Sequence, residues 1–185
     1  MTGQWYAIGT GSGQPTGLAN AGAAGAAGTI ASGGSLILGP VGAVGEKLVD
    51  LLHSTDPQYR TNSEWVMHDA TSQTIRELRD GAGGTAGAFL LQMVPTPNTP
   101  FGVTDYLLGH PIRYDSNVAT MGSAATPIFC GDMSAFYIRD VRGMRRSRSD
   151  NYAFNKRQSV VRAMMRTDSN LIDATAVNRL HMAVT

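Results

Sequence analysis

The stretch PIFCGDMSAFYIRDVRGMRR, residues 127–146, combines two short apolar runs with a dense series of arginines. The first run ends at Cys130, where Gly131 and Asp132 interrupt it, and the second run occupies residues 136–138. Short apolar runs bounded by turn residues are typical of strands. The stretch therefore predicts two strands. It leaves three uses for the arginines open: an active site, a grip on nucleic acid, or a place in a larger assembly.

The composition describes a chain of 185 residues, 42% of them hydrophobic, which is enough to bury one core. We expect one domain, or one domain with an appendage. No apolar run approaches the roughly 20 residues that span a bilayer, so no membrane partner is expected. The single cysteine, Cys130, excludes an internal disulfide framework and is typical of a small buried hydrophobe.

The charge is divided unevenly along the chain. Residues 1–138 carry five basic and ten acidic side chains, a balance of −5, whereas residues 139–185 carry ten basic and four acidic ones, a balance of +6. A basic end of this kind is suited to nucleic acid. It is equally suited to head-to-tail pairing with copies of the same chain, because the other end is acidic.

Helices and strands are both predicted in the first half of the chain. Apolar residues at helical spacing follow Pro40, namely Val41, Val44, Leu48, Leu51 and Leu52. Residues 64–68 are short and apolar, which predicts a buried strand. Asp69 is placed to cap a helix through Arg79 that buries Ile75 and Leu78. The glycine- and alanine-rich ranges 20–35 and 81–87 are predicted to be surface loops.

Strands dominate the prediction for the second half, at 89–94 and 106–115 and in several short segments after them. Residues 158–170 fit either a helix or a long strand, and residues 173–182 predict a helix that Asp173 caps. Helices followed by a run of strands indicate an α+β fold rather than an alternating α/β fold.

The residue patterns of common enzyme sites are not matched. The range GTGSGQPTG, residues 9–17, lacks the Gly-Lys-Ser/Thr ending of a nucleotide-binding loop and is interpreted as a turn. His53, His68, His110 and His181 are scattered without metal-ligand spacing. Ser134 with Asp132 and His110 lacks the setting of a nucleophile elbow. We therefore expect no enzyme activity, no cofactor and no small-molecule substrate.

Five arginines within residues 139–148 carry the strongest signal in the chain. In one extended strand, alternate residues point to opposite faces. Arg139 and Arg145 would then share one face, and Arg142, Arg146 and Arg148 the other. That division suits a strand with different partners on its two sides better than it suits a grip on one DNA backbone. A solvated edge strand guarded by charge remains an alternative.

Five segments occur in an order that resembles tailed-phage major capsid proteins of the Hong Kong 97 type. They are GTGSGQPTGL (9–18), EWVMHDATSQTIRELRD (64–80), LLGHPI (107–112), IFCGDMSAFYIRDVRGM (128–144) and NYAFNKRQSVVRAMMRTDSNLIDATAVNRL (151–180). No segment is decisive alone, but five in this order are fairly specific. The match covers nearly the whole chain.

The resemblance implies a Hong Kong 97-like capsid fold that is truncated at its N-terminus, because this chain begins where the spine helix of the family should end. Residues 1–145 would be the apical domain with its glycine-rich loops, and residues 146–185 the return segment of the peripheral domain. The apolar runs of residues 127–140 would be paired core strands. Residues 158–170 would form a long strand rather than a helix.

The function implied by the resemblance is that of a structural shell subunit. Copies of the chain would assemble into pentamers and hexamers around double-stranded DNA. Assembly would take place in the cytoplasm of a bacterial host, and the product would be the capsid of the virion. The predicted subunit contacts are Arg139, Arg142, Arg145, Arg146 and Arg148, together with the loops 20–35 and 81–87. The alternatives are an encapsulin-type shell that encloses proteins and a basic nucleic-acid-binding module.

Overall fold

The computed structural model describes residues 6–30, 36–37, 45–77, 105–141 and 143–182. This part of the chain contains the helices α1 (Leu18–Ala21), α2 (Glu46–Ser54), α3 (Pro57–Arg60) and α4 (Asp69–Arg76). The strands are β1 (Ala23–Ile30), β2 (Leu36–Ile37), β3 (Glu64–Met67), β4 (Tyr106–Leu107), β5 (His110–Tyr114), β6 (Ile128–Gly131), β7 (Phe136–Asp140), β8 (Arg145–Ala153), β9 (Gln158–Met164), β10 (Thr167–Leu171) and β11 (Val177–Met182). Within this described part, no helix is long and apolar enough to cross a membrane.

The strands form one large mixed sheet and two small sheets. The large sheet has seven strands in the order β2-β1-β11-β6-β3-β5-β4, with parallel pairing between β1 and β11 and between β3 and β5. Antiparallel pairs β7–β10 and β8–β9 form the two small sheets. The mixture of helices with antiparallel and parallel strands confirms the predicted α+β class.

The centre of the large sheet is buried on both faces. On one face, α2 packs against every second residue of β3, β6 and β11. These side chains are buried. These residues are Trp65, Met67, Ile128, Cys130, Leu180 and Met182. The side chains between them point to the opposite face, where they form a second core. This core contains Val66, Phe129 and Val177 from the strands, together with Ala7, Val118 and Leu171. Burial of each large side chain stabilises the fold by about 1.5–3 kcal/mol.

Helix α2 confirms the prediction from apolar spacing for Leu48, Leu51 and Leu52, which it buries, whereas Val41 and Val44 lie outside the described residues. Strand β3 confirms the predicted strand at 64–68. Helix α4 begins where expected and buries Ile75, whereas Leu78 and Arg79 lie outside the described residues. Its N-cap is His68, whose Nδ1 accepts from the Ala70 N–H, and Asp69 occupies the first turn instead. The predicted strand at 89–94 and the loop at 81–87 lie outside the described residues.

The prediction of a loop at residues 20–35 is wrong for residues 23–30, which form β1 in the large sheet. The small side chains are needed because α2 crosses this strand closely. A Cβ on Gly25 would lie 2.4 Å from Ser54 Oγ and 2.8 Å from Leu51 Cδ1. Small residues predict a loop because they bury little surface of their own, whereas here their smallness lets a helix approach.

The predicted helix at residues 173–182 is also wrong, because residues 177–182 form β11 between β1 and β6. Val177 and Leu180 fit helical spacing only because the two faces of this strand are both buried. A strand buried on both faces lacks the period of two that identifies a half-exposed strand. Asp173 caps no helix; its Oδ1 accepts from the Thr175 N–H and Oγ1 in a turn.

The apolar runs of residues 127–140 form strands, but the prediction that they pair with each other is wrong. Strand β6 is buried between β3 and β11, whereas β7 pairs with β10 in a separate sheet. Gly131 permits the change of sheet, because a Cβ there would lie 2.1 Å from the Ala176 carbonyl oxygen. Residues 158–170 are extended as predicted, but they divide into β9 and β10 rather than forming one strand.

The division into residues 1–145 and 146–185 stays a prediction. Strand β11 comes from the second range and pairs with β1 and β6 of the first, so the large sheet draws on both.

We expect Gly25→Ala to lower the free energy of unfolding by about 1–3 kcal/mol, since the added methyl group overpacks the contact between β1 and α2. The measurement is urea denaturation followed by circular dichroism. Gly122→Ala is the matched control, because nothing lies within 4 Å of its Cβ position. Equal midpoints for the two variants would contradict the packing argument.

Burial raises the pKa of the Cys130 thiol to about 12, against weaker opposing effects of a Thr55 hydrogen bond and the Arg60 charge. The unfolded chain ionises this thiol above its ordinary pKa of 9.0. Stability from the neutral buried thiol is therefore lost as pH rises from about 9 towards 12, by up to about 1.4 kcal/mol per pH unit. In urea titrations over this range, Cys130→Ala should show a shallower decline than the original chain; parallel declines would refute the assignment.

Candidate subunit interface

The five predicted contact arginines do not lie on one strand. Arg139 lies in β7, whereas Arg145, Arg146 and Arg148 lie in β8, and Arg142 is outside the described residues. Gly143, with a φ of +94°, lies between the two strands. The predicted face shared by Arg139 and Arg145 is therefore wrong, because the chain turns into a different sheet between them.

Strands β8 and β9 form an antiparallel ribbon, residues 145–164, which we call the basic ribbon. Its sequence carries six basic residues and one acidic residue, Asp150. The basic residues are Arg145, Arg146, Arg148, Lys156, Arg157 and Arg162. Every ribbon residue whose burial the structure describes is exposed.

The register places arginines on both faces of the basic ribbon. Arg145 lies opposite Met164, and Arg146 lies opposite Ala163. Alternate residues therefore put Arg145 on one face and Arg146 on the other, as the parity within β8 predicts. Each face is mixed, since arginines stand beside apolar residues such as Val161, which is 66% exposed.

An uncovered ribbon of two strands is only marginally stable in water. The basic ribbon also exposes apolar surface to water, which is unfavourable: Tyr152 is 84% exposed and Val160 39%. Such a surface is typical of a segment that a partner covers.

The sheet of β7 and β10 connects the basic ribbon to the body. At one end, Phe136 lies opposite Leu171, and both belong to the second core. At the other end, Asp140 lies opposite Thr167, next to the residues that lead into and out of the ribbon. Arg139 faces Asp168 across this ladder, which gives it an acidic neighbour in its own chain.

The glycine-rich range 9–17 is a closed turn, as its interpretation from the sequence predicts. Thr10 and Thr16 form a β-bridge, and the Gly17 N–H donates to the Gly9 carbonyl at 2.9 Å. The turn docks on β10, because the Thr16 N–H donates to the Ser169 carbonyl at 3.1 Å and Ser169 Oγ donates to the Thr16 carbonyl at 2.9 Å. These hydrogen bonds attach residues 9–17 to the sheet of β7 and β10, from which the basic ribbon extends.

His68 and His110 have separate structural contacts. His110 Nδ1 lies 3.0 Å from Ser63 Oγ, and Ser63 Oγ donates to the Arg60 carbonyl at 2.8 Å. His68 caps α4. The Ser134 N–H donates to Asp132, so Ser134 belongs to a local turn. No group of three or more His, Cys, Asp or Glu side chains within the described ranges is arranged to hold a metal ion.

Three aspartates, which we call the acidic cluster, act on Tyr59, and the sequence did not predict this arrangement. The Tyr59 hydroxyl donates to Asp173 at 2.8 Å, and this hydrogen bond is the main cause that raises the pKa of Tyr59. The charges of Asp173, Asp56 and Asp132 raise it further. These three carboxylates come from distant parts of the chain, so no local pattern in the sequence could have joined them.

A cleft of about 470 Å³ adjoins the acidic cluster. Asp56 and Thr175 line it, with the end of α2 and the buried pair Thr55 and Asn178. Nearby, Arg60 donates to the carbonyls of His53 at 3.2 Å and Thr55 at 3.0 Å, so a guanidinium already binds at this helix end. The carbonyl end of a helix attracts cations.

Comparison with solved structures finds capsid chains of the same fold. "Capsid of native GTA particle computed with C5 symmetry" matches with a TM-score of 0.68 and "Capsid of empty GTA particle computed with C5 symmetry" with 0.67. Each is 22% identical, over 97% of this chain and 60% of that chain. A chain of "Gordonia phage Cozz" matches with a TM-score of 0.53 at 16% identity, over 88% of this chain and 51% of that chain.

The present chain thus spans 60% of the length of the GTA capsid chains. No curated protein sequence matches it significantly. The model of the family described as "Phage capsid family" matches residues 6–182, which is nearly the whole chain. With this match and the shared fold, the chain belongs to the phage capsid family.

Proposed function

We propose that this chain is a structural shell subunit of a tailed-phage or prophage capsid, which acts by binding copies of itself. Membership of the phage capsid family supports this function, and so does the likeness to capsid chains of particles computed with C5 symmetry. In this proposal the copies form pentamers and hexamers around packaged DNA, in a virion that assembles in the cytoplasm of the host.

The observation that carries the proposal is the exposure of the basic ribbon. Strands β8 and β9 pair with each other, with an irregularity of the register between Ser149 and Ala153, and their described side chains expose arginines and apolar groups together. Interfaces of this mixed kind are small individually, and symmetry repeats them many times in a shell. The ribbon is therefore suited to a contact that forms only when another subunit is present.

The predicted contact arginines fit this proposal in two groups. Arg145, Arg146 and Arg148 belong to the basic ribbon itself, and in the proposal they contact a neighbouring subunit. Arg139 lies on the sheet that supports the ribbon, and Arg142 precedes it in the sequence. We assign the ribbon arginines the leading role, because Arg139 faces Asp168 in its own chain.

We expect Val161→Ser to weaken self-association roughly five- to tenfold, because it removes apolar surface from the exposed ribbon that a partner would bury. Sedimentation velocity over a range of protein concentrations measures the effect. Val49→Ser is the matched control, because Val49 is 43% exposed on α2, outside the ribbon. The melting temperatures of the two variants should agree within a few degrees.

Two results would contradict the proposal. One is a chain that stays monomeric at every concentration up to its solubility limit. The other is equal weakening by Val161→Ser and Val49→Ser, which would assign the association to general hydrophobicity rather than to the ribbon.

A further inference from the structure

The tip of the hairpin between β4 and β5 is a part of the molecule that the proposed function leaves unexplained. Leu107 pairs with His110, so the loop between the two strands consists of Leu108 and Gly109. Leu108 has a φ of +50° and Gly109 a φ of +84°. Positive φ at both central residues is the conformation of a type I′ turn, which is common in hairpins with two-residue loops.

Leucine is a poor residue for the first position of this turn. In the left-handed conformation the Cβ atom crowds the following carbonyl oxygen, and glycine, asparagine and aspartate tolerate this conformation best. The usual sequences of a type I′ turn are therefore Asn-Gly, Asp-Gly and Gly-Gly. The backbone of the turn thus disfavours the leucine that the sequence places there.

Burial of the Leu108 side chain offsets only part of this strain. Leu107 is 2% exposed and belongs to the core beneath α2, whereas Leu108 is 41% exposed. The space beside the turn is open, since nothing lies within 4 Å of the Cβ position of Gly109. A single exposed leucine is ordinary on a protein surface. An exposed leucine in a conformation that disfavours leucine is not explained by the fold of one chain.

The hairpin that carries Leu108 is held firmly against the body. The Trp65 Nε1–H donates to the Leu107 carbonyl at 2.9 Å in a buried hydrogen bond. On the other side of the turn, His110 Nδ1 lies 3.0 Å from Ser63 Oγ. These contacts fix both residues that flank the turn. Leu108 is therefore presented in a defined position, and a partner that covers it orders little of the chain on binding.

We propose that Leu108 is a contact residue, which a second copy of this chain covers. The inference rests on the proposed function, in which the partners of the chain are its own copies, and it adds a contact on the large sheet. Membership of the phage capsid family supports this choice of partner. A preorganised apolar side chain stabilises such a contact because its remaining exposed surface leaves water when the copies meet.

Three variants of the whole chain test the inference. Leu108→Asn gives the turn the Asn-Gly sequence that its conformation favours, and Leu108→Gly keeps the turn without a side chain. Val49→Ser is the matched control. Val49 is 43% exposed, close to the value for Leu108, but it lies in the regular helix α2, where the substitution relieves no turn.

We expect both Leu108 variants to self-associate about fivefold more weakly than the original chain, because each removes apolar surface that the second copy buries. Sedimentation velocity over a range of protein concentrations measures the effect. Val49→Ser should associate as the original chain does. Leu108→Asn should also melt no lower than the original chain, since relief of the turn offsets its lost apolar contacts.

The opposite responses of stability and association separate a contact role from a structural one. A fall of more than about 4 °C in the melting temperature of Leu108→Asn would assign the side chain to the fold of one chain and overturn the inference. Equal weakening of association by Val49→Ser would overturn it too, because the effect would then follow general hydrophobicity.

Photo-crosslinking identifies what covers the side chain. With p-benzoylphenylalanine in place of Leu108, irradiation of the associated chain should give products that join two or more copies. The same probe in place of Val49 should give far fewer of these products. Crosslinks from position 108 that lie only within one chain would place the cover in the chain itself and contradict the inference.

Other outcomes separate this inference from the proposed function. If the original chain associates and both Leu108 variants associate equally well, the inference fails and the proposed function stands. A chain that never associates contradicts both proposals.

Discussion

Burial of the central strands on both faces is the constraint on which the rest of the structure depends. Strands β3, β6 and β11 carry large apolar side chains on alternating faces, and each face has its own cover. Helix α2 covers one face, whereas the other is covered partly by Ala7, Leu171 and residues around them. Because two covers are needed, the sheet draws strands from across the described chain, and residues 6–21 are fastened to β10 on the far side.

Close packing explains Gly17, Gly25 and Gly131 better than loop flexibility does. Gly25 lets α2 approach β1, and Gly131 lets the chain leave β6 beside Ala176. Gly17 lies against the backbone of residues 7–9, where a Cβ would be 2.5 Å from the Gly9 nitrogen. At these positions the space beside the Cα atom is the constraint, and at Gly131 a φ of +154° adds to it.

The charge division along the chain becomes a spatial division in the fold. The basic residues of the last quarter of the chain concentrate on the ribbon, which extends from the end of the β7–β10 sheet. Asp173, which accepts from the Tyr59 hydroxyl, lies just beyond the other end of that sheet. A chain with unlike charges at opposite ends is suited to repeated association with its own copies.

The sequence by itself determined the α+β class, helix α2, strand β3, the closed turn at residues 9–17 and the basic character of the last quarter. These features follow from short-range patterns, such as the burial of Leu48, Leu51 and Leu52 on one face of a helix. The resemblance of five segments in order also identified the family that the comparisons confirm. The subtype and the contact role of the arginines stay predictions.

Only the tertiary structure decided that residues 23–30 and 177–182 are strands, that β6 and β7 lie in different sheets, and that Asp173 lies beside Tyr59. Periodicity identifies an element when one face is buried and the other is solvated. It fails for β11, which is buried on both faces, and for β1, whose small residues serve a helix that crosses it. Pairing and clustering across more than 100 residues, such as Tyr59 with Asp173 at a separation of 114, depend on the packing of the whole chain.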